Sequence, residues 1–388
     1  MKIARHRRII LVWVSVLLAI FFKVNAWASD DILPTYFQYS EQELASLKTI
    51  NPSSSQLITP ELLQKWDTTM FDLVGNEGLG EKDAILVYTY VYVAQRDAAF
   101  ITQNLRGSLN VDIDFVTGKI LCVFFEKSCH EFASELKTDL YSQHVTDMII
   151  NKIKIRMAHD QQQRTLSSIK SGKEYWVGVK PYYGQDVGSR ETWLIKSIDQ
   201  LNHPPPPLPY NDPKWNDVLA ITVNARTNAT DEQKIKVVFW AGGPGTITPA
   251  GQWLVLANDY IWQQHTLTMT KILLIRSTLA MTIADSIIAV FREKYTHWVK
   301  RPFMRDNTLQ TIMPTPNHPS YPAAHSTISA AAATLLSYYF PENKQFWQLQ
   351  ATEAGMSRIW GGIHFITDNE AGNALGEQVA NHDGRATS

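Results

Sequence analysis

His318-Pro319-Ser320-Tyr321-Pro322-Ala323-Ala324-His325-Ser326 runs without a break into Thr327-Ile328-Ser329-Ala330-Ala331-Ala332-Ala333-Thr334-Leu335-Leu336. The two prolines fix the approach and cannot lie inside a helix, so the spacing predicts a helix over 326–339 that starts beside His325. At a helix start the first backbone N–H groups have no intrahelical acceptor, and the positive dipole end favours an anion. His325 is therefore either a cap or one wall of an anion site. The run from Ala330 to Ala333 calls for a second helix packed close against this one.

Two flanking segments decide between those readings. Upstream, Lys294-Tyr295-Thr296-His297-Trp298-Val299-Lys300-Arg301-Pro302 ends an apolar helical stretch, where the dipole favours cations in any protein. Downstream lies Ser357-Arg358-Ile359-Trp360-Gly361-Gly362-Ile363-His364-Phe365-Ile366-Thr367-Asp368. If a helix begins near His364, Asp368 sits one turn on and accepts from one imidazole nitrogen, aiming the other outward. That pairing fixes the tautomer and raises basicity, as a nucleophilic or ligating histidine requires. A closed metal site would need a third protein ligand beside His364 and Asp368, and the sequence offers none at a matching spacing.

Together, in this order, the segments resemble the signature of the superfamily joining type 2 phosphatidic acid phosphatases, bacterial acid phosphatases and vanadium-dependent haloperoxidases. That signature reads Lys, six residues, Arg-Pro; then Pro-Ser-Gly-His; then Ser-Arg, five residues, His, three residues, Asp. Lys294, Arg301, Pro302, Pro322, His325, Ser357, Arg358, His364 and Asp368 all match. A fainter similarity extends upstream through Phe239-Trp240 and Thr248-Pro249. The resemblance implies an all-α protein of two packed helical bundles, of the vanadium haloperoxidase and acid phosphatase type.

It also implies roles. Arg301 and Arg358 present planar donor forks, and Lys294 a point charge, to the oxygens of a bound oxyanion. His364 sits at the apex, attacking phosphorus in a phosphatase or acting as the metal ligand when vanadate is bound. His325 is the acid and base, and Asp368 orients His364. One departure stands out: Ala323-Ala324 replaces Ser-Gly, so a hydroxyl donor is missing and the backbone N–H of Ala324 remains. A charge-assisted hydrogen bond contributes roughly 1.5–3 kcal/mol, so the oxyanion should bind more weakly without the site being lost.

The rest of the chain sets the frame. With 388 residues, 45% apolar content and 36 basic against 37 acidic side chains, the protein is globular. It has no global field for nucleic acid or an anionic membrane. Lys2-Ile3-Ala4-Arg5-His6-Arg7-Arg8, an apolar run from Ile9 to Phe22 and Ala26-Trp27-Ala28 form the three-part layout of a signal peptide over residues 1–28, with cleavage expected after Ala28. Export to the periplasm or medium follows. No later stretch makes a good membrane span, because Ile272 to Phe291 contains Arg276 and Asp285.

A polar leader is expected over 29–56, then helices from Thr59-Pro60-Glu61, over 81–101 and over 130–163, making an N-terminal bundle over 29–200. A stiff connector over 201–215 holds His203-Pro204-Pro205-Pro206-Pro207-Leu208-Pro209. The C-terminal bundle, 216–388, carries further helices over 251–260, 267–295 and 365–381. Trp240-Ala241-Gly242-Gly243-Pro244-Gly245 lacks the Lys-Ser/Thr of a phosphate loop and reads as a tight turn. Cys122 and Cys129 on one straight helix would stand roughly 10 Å apart, beyond disulfide reach, so a bridge and two buried thiols both remain open. Asp285 either pairs with Arg301 or Arg358 or is a partly exposed helix carboxylate. Trp298, Phe303, Tyr321, Trp360 and Phe365 either line a substrate pocket or fill the core.

The function expected is vanadium-dependent, haloperoxidase-like oxidation of halide by hydrogen peroxide. The alternatives are a soluble acid phosphatase that works through a phosphohistidine and needs no cofactor, and a non-catalytic phosphate binder. Partners are accordingly small molecules: halide and peroxide, or a phosphomonoester.

Overall fold

In the computed structural model, which describes residues 33–51, 57–133 and 136–386, every regular element is helical. The pairing of extended chain among these residues is a bridge between Tyr175 and Val299. The signal-like segment and its cleavage site lie outside the described residues. From Thr35 onward the chain forms one compact unit.

The helices, in chain order, are α1 Glu41–Lys48, α2 Pro60–Asn76, α3 Glu81–Arg106, α4 Ile113–Phe124, α5 Cys129–Ala133, α6 Leu140–Gln163 and α7 Trp215–Thr227. There follow α8 Asp231–Phe239, α9 Thr248–Ile261, α10 Met269–His297, α11 Ala324–Tyr339, α12 Lys344–Trp360 and α13 Ile366–Ala386. Several starts obey local rules. Thr59 caps α2 with Pro60 at its first position, and Thr230 and Gln233 form a reciprocal capping box on α8.

Two expectations about the N-terminal half need correction. The supposed polar leader is packed: Phe37 and Leu47 are buried, and the backbone N–H groups of Tyr36 and Phe37 donate to the buried carboxylate of Asp97. The helix expected over 130–163 is broken into α5 and α6, because Asp139 takes up an extended backbone and caps α6 through Ser142 N–H. A separate break, between α4 and α5, settles the open question of the cysteines in favour of a bridge. Since α4 stops at Phe124 and Cys129 opens α5, the two Cα atoms stand 4.9 Å apart and the sulfurs are bonded.

Helix α10 is the central strut. It is long and apolar enough to cross a bilayer, yet its apolar stretch is wholly buried within the protein. It packs against α3, α9, α11 and α13. Burial on all faces is why its sequence shows no polar stripe. Its internal charges are paired rather than exposed: Arg276 bonds Asp67, Asn258 and Gln95 and lies 4.1 Å over the Tyr92 ring. Removing one partner would strand a buried charge, which typically costs about 3–5 kcal/mol. Asp285 corrects both readings offered for it. The residue has no exposed surface, and its carboxylate accepts the backbone N–H groups of Trp193, Leu194 and Ile195 at 2.6, 2.9 and 3.1 Å.

Close packing of α11 on α13 follows from small residues on both. A Cβ at Gly376 would collide with the Thr327 carbonyl and the Ala331 nitrogen, and one at Gly372 would come within 2.6 Å of the Ala323 carbonyl. This contact brings the start of α11 against the start of α13, the two ends that carry His325 and His364.

Candidate functional site

Lys294 lies in the last turn of α10, which Trp298 ends by adopting a left-handed backbone at φ 55° and donating its N–H to the Lys294 carbonyl. The chain then turns back so that Arg301 re-enters the interior. Neither side chain has exposed surface. Lys294 Nζ donates to the carbonyls of Pro319 at 3.1 Å, Ser320 at 2.8 Å and Pro322. Three acceptors require three N–H bonds, the valence of an ammonium. Thus Lys294 both places charge and pins the loop that leads to His325.

Arg301 is held on both edges of its fork. Nε donates to the His318 carbonyl at 3.1 Å and Nη2 reaches His318 Nδ1 at 3.1 Å. On the other side Nη1 donates to the Ile363 carbonyl at 2.8 Å and meets His364 Nε2 at 3.0 Å. Because a guanidinium only donates, both ring nitrogens facing it carry lone pairs. His364 therefore has its proton on Nδ1, which lies 2.9 Å from Asp368 Oδ2. The pair spans four residues, as expected, although α13 begins only at Ile366.

His325 occupies the first turn of α11, where Ala323 offers no side-chain cap. Its Nε2 is 2.7 Å from the Trp240 carbonyl, so that nitrogen donates and Nδ1 keeps the lone pair. Unlike the other site groups, His325 is half-buried, as is Ala324 beside it. Arg358, fully buried, donates to the Ser357 hydroxyl at 2.9 Å, the Val237 carbonyl at 2.6 Å and the Met313 sulfur at 2.9 Å.

The end of α8 and the turn after it therefore form one wall, through two carbonyls. The turn is tight as expected, with Gly242 at φ 53° and no room for a Cβ against Pro249. Carbonyl acceptors leave no mark in sequence, since every residue has one. Ser320, His318 and Met313 also went unassigned in the sequence, although the first two lie inside the segment that opens the site. Of the aromatic residues, Trp298, Tyr321 and Phe365 are core, Trp360 is half-buried, and Phe303 is 36% exposed.

Burial and mutual repulsion dominate the electrostatics. Burial, then Arg301, holds the Lys294 amine well below its usual range, with Asp368 pulling the other way. Burial brings Arg301 down to about 10 and Arg358 to about 9. His364 is depressed by burial and then by Arg301 and Lys294, His318 by burial and then Lys294, and His325 by burial and then Arg358. Burial pushes Asp368 up, while the Ser320 hydroxyl and the Phe365 N–H hold it down. All three imidazoles are consequently neutral near pH 7. Lys294 and Arg301 thus share the carboxylate of Asp368, while Arg358 lies on the side of His325.

Residues 273–382 match the model of the PAP2 superfamily. The bacitracin transport permease protein BcrC of Bacillus licheniformis is 23% identical over 123 residues, 32% of this chain and 59% of that protein; the match therefore spans less than two thirds of the relative's length. Among solved structures, a bacterial vanadium-dependent iodoperoxidase superposes with a TM-score of 0.67 at 18% identity, covering 86% of this chain and 98% of its own. The holo form of a bacterial vanadium-dependent chloroperoxidase gives 0.63 at 10% identity, covering 93% and 98%. At such identities the likeness establishes the helical fold.

Proposed function

We propose, from the premise that residues 273–382 belong to the PAP2 superfamily within a chain folded like the vanadium-dependent haloperoxidases, that this protein is an exported enzyme that oxidises halide with hydrogen peroxide, using bound vanadate. Superfamily members are haloperoxidases and phosphatases, and the choice between them rests on the site.

The observation that carries the reading is the uncompensated charge: Lys294, Arg301 and Arg358 are fully buried, Asp368 offsets the first two only in part, and Arg358 has no carboxylate among its hydrogen-bond partners. A multiply charged oxyanion relieves that repulsion, and the donor set suits one. Arg301 and Arg358 supply forks, Lys294 the field, and the N–H groups of Ala324, His325 and Ser326 precede the first intrahelical bond of α11. His364 Nε2, unprotonated, is the apical group. Bound vanadate would supply a Lewis-acidic centre at which peroxide is activated.

The chain's own work is to neutralise charge, exclude water and manage protons. His325, neutral and half-buried, takes protons from arriving peroxide at Nδ1 while Trp240 fixes its ring. Burial and Arg358 hold the ring in its neutral form, which has a free lone pair to take a proton and no second proton to give a leaving group. The Cys122–Cys129 bridge supports an oxidising compartment, periplasmic or extracellular.

A phosphatase is the second reading, favoured by Ala323, which withholds a hydroxyl that stable oxyanion binding would use. There His364 Nε2 forms a bond to phosphorus as the ester P–O bond breaks and His325, protonated from solvent at acid pH, donates to the leaving oxygen; His325 then deprotonates a water whose oxygen bonds phosphorus as the P–N bond breaks and phosphate leaves. The test is to incubate the protein with orthovanadate, hydrogen peroxide and bromide or iodide, and to follow dye halogenation. Vanadate-dependent turnover lost in His364→Ala is the expected result. Hydrolysis of an aryl phosphate by the metal-free protein, without halogenation, would shift the assignment to the phosphatase. A phosphate binder would show neither and would lose little affinity in His364→Ala.

A further inference from the structure

Ser320 lies in the loop between Arg301 and α11, has no exposed surface, and is tied into the site through every polar atom it has. Its N–H donates to the Val299 carbonyl at 2.9 Å, and its own carbonyl accepts Lys294 Nζ at 2.8 Å. Its hydroxyl oxygen is 2.5 Å from Asp368 Oδ2 and 3.3 Å from His364 Nδ1. A hydroxyl has one proton to give, and the closer, anionic acceptor takes it.

That choice propagates. Oδ2 of Asp368 then receives three donors, from Ser320, from His364 Nδ1 at 2.9 Å and from the Phe365 N–H at 3.0 Å, whereas Oδ1 is buried and has no partner. A carboxylate whose bonds all fall on one oxygen could turn to share them with the other. Ser320, whose backbone is tied to Val299 and to Lys294 of α10, opposes that turn through its hydroxyl. With its proton on Asp368, Ser320 also cannot donate to His364 Nδ1, so the imidazole keeps its Nδ1–H and leaves Nε2 bare opposite Arg301.

We propose that Ser320 is a positioning residue for His364: its hydroxyl pins Asp368 Oδ2, so that the imidazole presents Nε2 unprotonated to the bound oxyanion. One residue thereby couples the Lys294 charge to the orientation of the apical histidine. The inference rests on the reading of His364 as the apical group, and it holds for either peroxidase or phosphatase chemistry.

The test compares the wild-type protein with Ser320→Ala and Ser320→Thr, each labelled with 15N-histidine and read at one pH without oxyanion, with His364→Gln assigning the signals. The wild type and Ser320→Thr should show His364 as a single tautomer protonated at Nδ1. Ser320→Ala should move those shifts as the Asp368 contact at Nδ1 loosens and weaken orthovanadate binding about 10–100-fold, the usual cost of losing a partner behind a ligand. Unchanged shifts and affinity in Ser320→Ala overturn the proposal. If that variant does not fold, Ser320→Cys keeps the volume with a poorer donor, and the same two outcomes decide. The resonances need no turnover, so absent halide oxidation would count against the proposed activity alone.

Discussion

At the scale of single residues, the site works by giving each buried donor a fixed acceptor. Arg301 shows why charge alone is insufficient. Its four contacts lie on opposite edges of a planar group, between His318 on one side and Ile363 and His364 on the other. An ammonium offers three donors from one point and cannot span them. Arg301→Lys should therefore keep the net charge and still lose on the order of 100-fold in kcat, as when a preorganised donor is removed from an oxyanion site. Steady-state halogenation, or aryl phosphate hydrolysis, reads this directly. A lysine variant within about fivefold of the wild type would mean that the field, not the fork, is what the site needs from Arg301.

At the scale of elements, α10 carries functional and structural charges on one rod. Lys294 reaches the site from its last turn, and Asp285 higher up holds the segment 193–195 by three backbone N–H groups. The sequence showed an isolated carboxylate in an apolar helix; its partners are main-chain donors some ninety residues away, which no side-chain pattern announces. Asp285→Ala leaves those donors buried without acceptors, at about 1–3 kcal/mol each, so a loss of at least about 3 kcal/mol is expected. A denaturation midpoint measures it, and faster amide exchange confined to Trp193–Ile195 would locate it. A loss below about 1 kcal/mol would show that the segment finds other acceptors.

At the scale of the whole molecule, folding assembles three cations in a dry interior, so the proposed binding of an oxyanion would be linked to folding. Orthovanadate or phosphate that binds only the folded protein should stabilise it by about 2.7 kcal/mol at one hundred times its Kd. Thermal unfolding with and without the anion tests this, and Arg358→Ala should abolish most of the gain. No shift with either anion would remove the basis for an oxyanion enzyme. How the site came to be legible differs from residue to residue. Lys294, Arg301, His325, Arg358, His364 and Asp368 could be proposed from the sequence because oxyanion chemistry would demand those side chains at fixed spacings, and the helical class was readable because caps, prolines and apolar spacing act locally. The sequence determined that much by itself: residue chemistry and short-range geometry. The tertiary structure alone decided the turn after Phe124 that lets Cys122 meet Cys129, the break at Asp139, the packing of Phe37 and Leu47, the anchoring of Asp285, and the carbonyls and the Ser320 hydroxyl around the proposed site. The physical reason is that these depend on backbone donors and acceptors, which every residue carries, and on which distant segment happens to face them.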